Sequence, residues 1–205
     1  MFRSLQRFTL AIGLCGALAS SYASAAETAA NAPVNHLQTP TSIVFGATTY
    51  TLVWSSQPTA EYVKQEYLPK GESVRHFSRM MLIERIEKGS NVKDAVAAQI
   101  SKIKAQRQKN PAPYLPLISN MLENPKTHEV ILEFFMYEKP VTEWNAYRYT
   151  ATPSGQGVML VGISHRGYED EEPYLPELTE DLKQHRAQWI DELANMPLPI
   201  PAKAQ

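Results

Sequence analysis

Cysteine is nearly absent. The one thiol, Cys15, lies inside an apolar run near the start. A chain that loses that run can form no disulfide, no thiolate metal site and no cysteine nucleophile, so its stability must come from burial alone. Clustered positive charge is absent too: 20 Lys and Arg face 21 Asp and Glu, a formal net charge of -1. Nucleic-acid binding needs grouped cations to neutralise phosphates, and that class drops out. Beyond the first two dozen residues no apolar run approaches the ~20 residues a membrane-spanning helix requires, so the mature chain is expected to be soluble.

Catalytic motifs are missing as well. There is no Gly-x-Ser-x-Gly; Pro153-Ser154-Gly155 sits between two expected strands, not at a strand-to-helix elbow. Gly155 and Gly157 likewise link strands and do not cradle a phosphate ahead of a helix. His-Glu-x-x-His is absent, and His36, His128, His165 and His185 show no close metal-ligand spacing. The acids Glu169 to Glu172 lack the alternation and central glycine of a calcium loop. No catalytic residue, metal or cofactor is assigned on these grounds.

What is present starts with an address. Arg3 and Arg7 precede an apolar run from Phe8 to Ala19, followed by small residues ending in Ala23-Ser24-Ala25. This is the pattern of a cleavable signal peptide, expected over residues 1–25, and it points to export to the periplasm or, alternatively, the exterior. Leu14 before Cys15, with the run continuing through Leu18, argues against a lipid anchor. Residues 26–41, rich in Ala, Asn, Thr and Pro, are expected to be a mobile lead-in. A single α+β domain is expected over 42–197, followed by a proline-rich tail over 198–205.

Within that domain, Ser42 to Phe45 and Tyr50 to Trp54 read as a hairpin about Gly46-Ala47. Val74 to Ile86 reads as one long strand, apolar on both faces at its centre. Val92, Val96, Ile100 and Ile103 recur at helical spacing, with Ser90 or Asn91 as cap, Asp94 in the first turn and Asn110-Pro111 as the stop. Pro111 to Asn124 is expected to be a packed loop or short helix. Glu129 to Tyr137, Trp144 to Thr150 and Val158 to His165 read as three strands, the last two forming a hairpin. Leu178, Leu182, Trp189, Leu193 and Met196 mark a second helix, with Thr179 as a possible cap. The expected fold is an antiparallel sheet of about five to six strands with two long amphipathic helices packed on one face.

The segment Tyr67-Leu68-Pro69-Lys70-Gly71-Glu72-Ser73, then Phe77-Ser78-Arg79-Met80-Met81, resembles one found in uncharacterised exported bacterial proteins, with Phe77 where those carry a Trp. The order of elements from Ser42 to Met196, with two helices on one side of an antiparallel sheet, is similar to the Mog1/PsbP-like sandwich. The resemblance implies a binding or assembly-accessory role and supplies no catalytic residues.

The candidate ligand-binding surface is an open sheet face with its strand ends: Arg75, Phe77, Arg79, Trp144, Arg148, His165 and Arg166. Arg forks match carboxylates, and His165-Arg166 sits where a strand should run out into a loop. The expected function is an exported, non-enzymatic domain binding an envelope protein or small ligand. The alternative is a hydrolase of unfamiliar type using His165 with a nearby carboxylate.

Overall fold

The computed structural model describes residues 32–112, 115–171 and 174–198. The expected signal segment, the first residues of the lead-in, Glu172 and most of the proline-rich tail lie outside them. Among the described residues no helix is long and apolar enough to cross a membrane.

Eight strands and two helices follow one another as β1 (Ser42–Phe45), β2 (Thr48–Thr59), β3 (Tyr62–Pro69), β4 (Arg79–Ile86), α1 (Val92–Lys109), β5 (Ile118–Glu123), β6 (Val130–Glu138), β7 (Val141–Ala151), β8 (Val158–Tyr168) and α2 (Tyr174–Asn195). They form one antiparallel sheet in the order β1-β2-β3-β4-β8-β7-β6-β5. Two four-strand meanders thus meet at β4 and β8, with Arg79 opposite His165 and Ile86 opposite Val158.

Strand register decides where the helices go. Met81 and Ile83 of β4, Val161 and Ile163 of β8 and Trp144 and Ala146 of β7 share a cluster with Leu178, Leu182 and Leu193 of α2. Leu82, Leu160 and Tyr149, on the alternate positions of the same strands, share another with Val96 and Ile103 of α1. Neighbouring strand residues point to opposite faces, so the helices sandwich the sheet from both sides. This corrects the expectation of five to six strands with both helices on one face. The apolar centre of β4 already implied cover on both sides, and the second helix supplies it.

The two strands missing from the sequence reading have physical reasons. β3 alternates Val63, Gln65 and Tyr67, all buried, with Lys64 and Glu66. Gln65 reads as solvent-facing, yet its Oε1 accepts from the Leu37 amide at 2.9 Å and its Nε2 donates to Asn35 at 3.1 Å. β5 is an edge strand with Met121 and Leu122 exposed, where no buried face imposes an alternation.

Chain ends and caps complete the frame. Leu37, within the span expected to be a lead-in with little to bury, is 1 % exposed, and the Thr39 and Tyr67 hydroxyls lie 2.6 Å apart. Asn91 is the cap of α1, its Oδ1 accepting from the Asp94 amide at 2.9 Å. Thr179 is no cap: α2 begins at Tyr174, and the Thr179 hydroxyl donates back to the Leu175 carbonyl.

Candidate functional site

At the end of the sheet where β4 begins and β8 runs out, a cleft of about 530 Å³ opens between the strands, the loop 70–78 and the first half of α2. Arg79, His165, Arg166, Glu72, His76, Glu171, Glu177 and Asp181 supply its polar lining, and Pro69 and Leu178 its apolar wall. The size lies in the range typical of small-molecule sites.

Asp181 is the centre of the polar cluster. Arg79 Nη2 donates to Asp181 Oδ2 at 2.8 Å, and His185 Nδ1 lies 2.6 Å from Oδ1. The spacing has a simple origin, since Asp181 and His185 are one helical turn apart on α2. His165 Nδ1 lies 3.3 Å from Oδ2 without forming a hydrogen bond. Trp189, two turns beyond Asp181, stacks with His185 at 5.5 Å between ring centroids and meets His165 edge-on at 5.7 Å. The Arg79 guanidinium lies 5.3 Å from the Trp189 ring centroid. An arginine fixed against an indole face has lost much of its freedom before any ligand arrives.

His165 is 9 % exposed. Burial pushes its imidazole down to about 4, more than the neighbouring Asp181 carboxylate raises it. At neutral pH it is therefore an uncharged hydrogen-bonding group.

The loop wall is tied down residue by residue. Glu72 accepts from the Ser78 amide at 3.0 Å, the Ser78 hydroxyl at 2.7 Å and the Arg79 amide at 3.3 Å. The Phe77 amide donates to the Tyr168 hydroxyl at 3.1 Å, and that hydroxyl donates to the Phe77 carbonyl at 3.0 Å. His76 stacks on Tyr168 at 4.3 Å and pairs with Glu171 at 2.8 Å.

Of the seven residues expected to form the binding surface, the cleft gathers Arg79, His165 and Arg166. Phe77, 2 % exposed, lies under the cleft as the platform for Arg166, whose guanidinium sits 3.9 Å from its ring centroid while Nε pairs with Glu143. Trp144 is buried beneath α2, 5.9 Å from Trp189. Arg75 is exposed in the loop, because β4 starts four residues later than its position requires.

Arg148 has a different task. It is 8 % exposed, pairs with Glu129 at 2.8 Å, and donates to the Leu193 and Met196 carbonyls at 3.0 and 2.9 Å. It caps the C-terminal end of α2, where free carbonyls favour a cation. The face holding Arg79, Trp144, Arg148 and His165 is thus covered by α2, not open.

Asp181, Glu72, Glu177 and His76 were not among the candidate site residues of the sequence reading. Only Asp181 left a trace: it is one turn before His185 and one turn after Glu177 on a helix already marked. Among the described residues no group of three or more His, Cys, Asp or Glu is placed to hold a metal ion.

Among solved structures, the chain is similar to PA94 from Pseudomonas aeruginosa, a protein of unknown function. The TM-score is 0.37 at 11% identity, covering 77% of this chain and 95% of that one. At that similarity the likeness bears on neither fold nor function. No curated protein matches the sequence. A family model matches residues 37–198, and the chain belongs to that uncharacterised family.

Proposed function

We propose that this chain is an exported, non-enzymatic domain that binds a small polar ligand in the cell envelope, in the cleft at the ends of β4 and β8. The observation that carries the reading is the convergence of Arg79, His165 and Arg166 on one cleft beside Asp181. Each cation is held by a carboxylate and an aromatic ring, Arg79 by Asp181 and Trp189, Arg166 by Glu143 and Phe77. Preorganised donors of this kind lower the ordering cost of binding. Export rests on the signal pattern of residues 1–25.

The second reading, a hydrolase using His165 with Asp181, draws support from their 3.3 Å separation inside the cleft. Two facts weigh against it. A base near 4 has little drive to take a proton at neutral pH, where the best catalytic pKa lies near 7. The nearby hydroxyls are also turned elsewhere, Ser78 to Glu72 and Ser164 to Asn145 at 2.7 Å.

A thermal-shift screen of the purified protein against small polar compounds tests binding, followed by turnover assays on every hit. The expected result is an upshift that Arg79→Ala and Arg166→Ala abolish and Arg75→Ala leaves intact, with no product formed. A ligand at 100 times its Kd adds about 2.7 kcal/mol, which such a screen resolves. Product formation lost in His165→Gln would instead establish the hydrolase. Export is tested separately by mass spectrometry of the protein from envelope fractions. A mature N-terminus near Ala26 is expected, and an intact Met1 found only in the cytoplasm would overturn it.

A further inference from the structure

Charge in the cleft is unevenly committed. Two guanidiniums, Arg79 and Arg166, line it against four carboxylates, Glu72, Glu171, Glu177 and Asp181. A purely anionic ligand would meet a surplus of acid, and a purely cationic one would meet Arg79. Most of these charges are already answered within the protein. Glu72 is occupied by Ser78 and the Arg79 amide, Glu171 by His76, Asp181 by Arg79 and His185.

Arg166 gives its Nε to Glu143 and lies over Phe77, which leaves Arg79 as the guanidinium nearest α2 and one uncommitted acceptor. Arg79 spends a single Nη2 contact on Asp181, and its Nε and Nη1 have no partner among the described residues. Beside it His165, nine-tenths buried, turns its enclosed Nδ1 toward Asp181 Oδ2 at 3.3 Å. Glu177 is exposed, lines the cleft and has no partner among the described residues. It stands one turn of α2 before Asp181, so their Cβ atoms are ~5–6 Å apart on one helix face. A free carboxylate and a guanidinium with unspent donors thereby line one cleft, with Leu178 and Pro69 forming the apolar wall.

We propose that the cleft takes a small zwitterion of the free α-amino-acid type, its carboxylate on Arg79 and its ammonium on Glu177, with an apolar side chain toward Leu178 and Pro69. The proposal rests on the small-ligand reading above and names the class of ligand. Arg79 supplies a planar fork for the carboxylate, and Glu177 at the rim answers the second charge.

The test is a backbone-amide NMR titration of the full chain with three probes: L-leucine, leucinamide, which keeps only the ammonium, and N-acetyl-L-leucine, which keeps only the carboxylate. L-leucine is expected to shift the Gly167 and Tyr168 amides, with both single-charge analogues at least tenfold weaker. Glu177→Gln, at an exposed position that leaves folding untouched, is expected to bring L-leucine down to the level of N-acetyl-L-leucine. Equal binding of either analogue, an unchanged affinity in Glu177→Gln, or no shift with any probe overturns the zwitterion assignment. The binding reading itself survives those results when sugars, phosphates or polyamines shift the same amides, and falls with the assignment when none does.

Discussion

The two helices hold to the same sheet by different means. Under α1 the contact is mainly apolar: Val96 and Ile103 cluster with Leu82, Leu132, Phe134 and Leu160, and the Tyr147 ring meets Phe134 edge-on at 4.9 Å. Under α2 an apolar patch around Trp144 and Leu193 is framed by charged tethers. Arg186 forks onto the fully buried Glu133 at 2.6 and 2.9 Å, Arg148 holds the C-terminal carbonyls, and Arg79 holds Asp181. Burial against a flat apolar surface is non-directional, whereas each tether fixes a distance and an angle. The tethered helix can therefore end its packing at Leu178 and leave room for a cleft, which a helix held by contact alone has no means to keep open.

The contrast is broken most severely on the apolar side. Phe134→Ala, which empties the α1 contact, is expected to cost ~3–5 kcal/mol, with a denaturation midpoint that salt leaves unchanged. A smaller loss that grows with salt would give the larger share of this contact to the Glu84 charges and not to burial.

Acid acts on the tethered side. The His165 imidazole sits at about 4 in the folded chain against an ordinary 6.5. Between those values the unfolded chain binds a proton that the folded chain does not. Stability is therefore full above pH 6.5 and falls toward pH 4, by at most roughly 3 kcal/mol. His165→Gln should flatten that slope in pH-dependent denaturation curves, and an unchanged slope would assign it to another group. Glu84 works in the opposite sense, since burial raises its carboxyl and its contribution is lost as pH rises. Glu84→Gln should steepen the acid slope.

Arg148→Ala strands two carbonyls of α2 and the Glu129 carboxylate, at a cost of ~2–3 kcal/mol. Hydrogen exchange should show the last turn of α2 opening first. Asn91→Ala removes the cap of α1 and should cost ~1 kcal/mol. Arg75→Ala touches neither helix and should stay within ~0.5 kcal/mol of the parent in the same denaturation assay.

Legibility in the sequence followed burial. The β7-β8 hairpin and α1 were readable because Val158 to Ile163 and Val92 to Ile103 carry their pattern in apolar residues. β3 was not, because Gln65 is buried through hydrogen bonds that only Asn35 and Leu37, some thirty residues away, supply. The long strand expected over Val74 to Ile86 begins only at Arg79, since the Glu72 side chain takes the Ser78 and Arg79 amides. Arg79, His165 and Arg166 were marked by type and by their place near strand ends. Arg148 looked the same and proved to be a helix cap.

The sequence by itself determined the mixture of helices and strands and the main apolar stripes, because side-chain direction repeats every 3.6 or two residues along the chain. Only the tertiary structure decided the opposite faces, the closing pair β4-β8 and the meeting of Arg79, Asp181 and His165. Residues 79, 165 and 181 share no local period. What joins them is an antiparallel register set by Met81, Ile83, Val161 and Ile163 under α2, a property of the packed sheet and not of any segment in it.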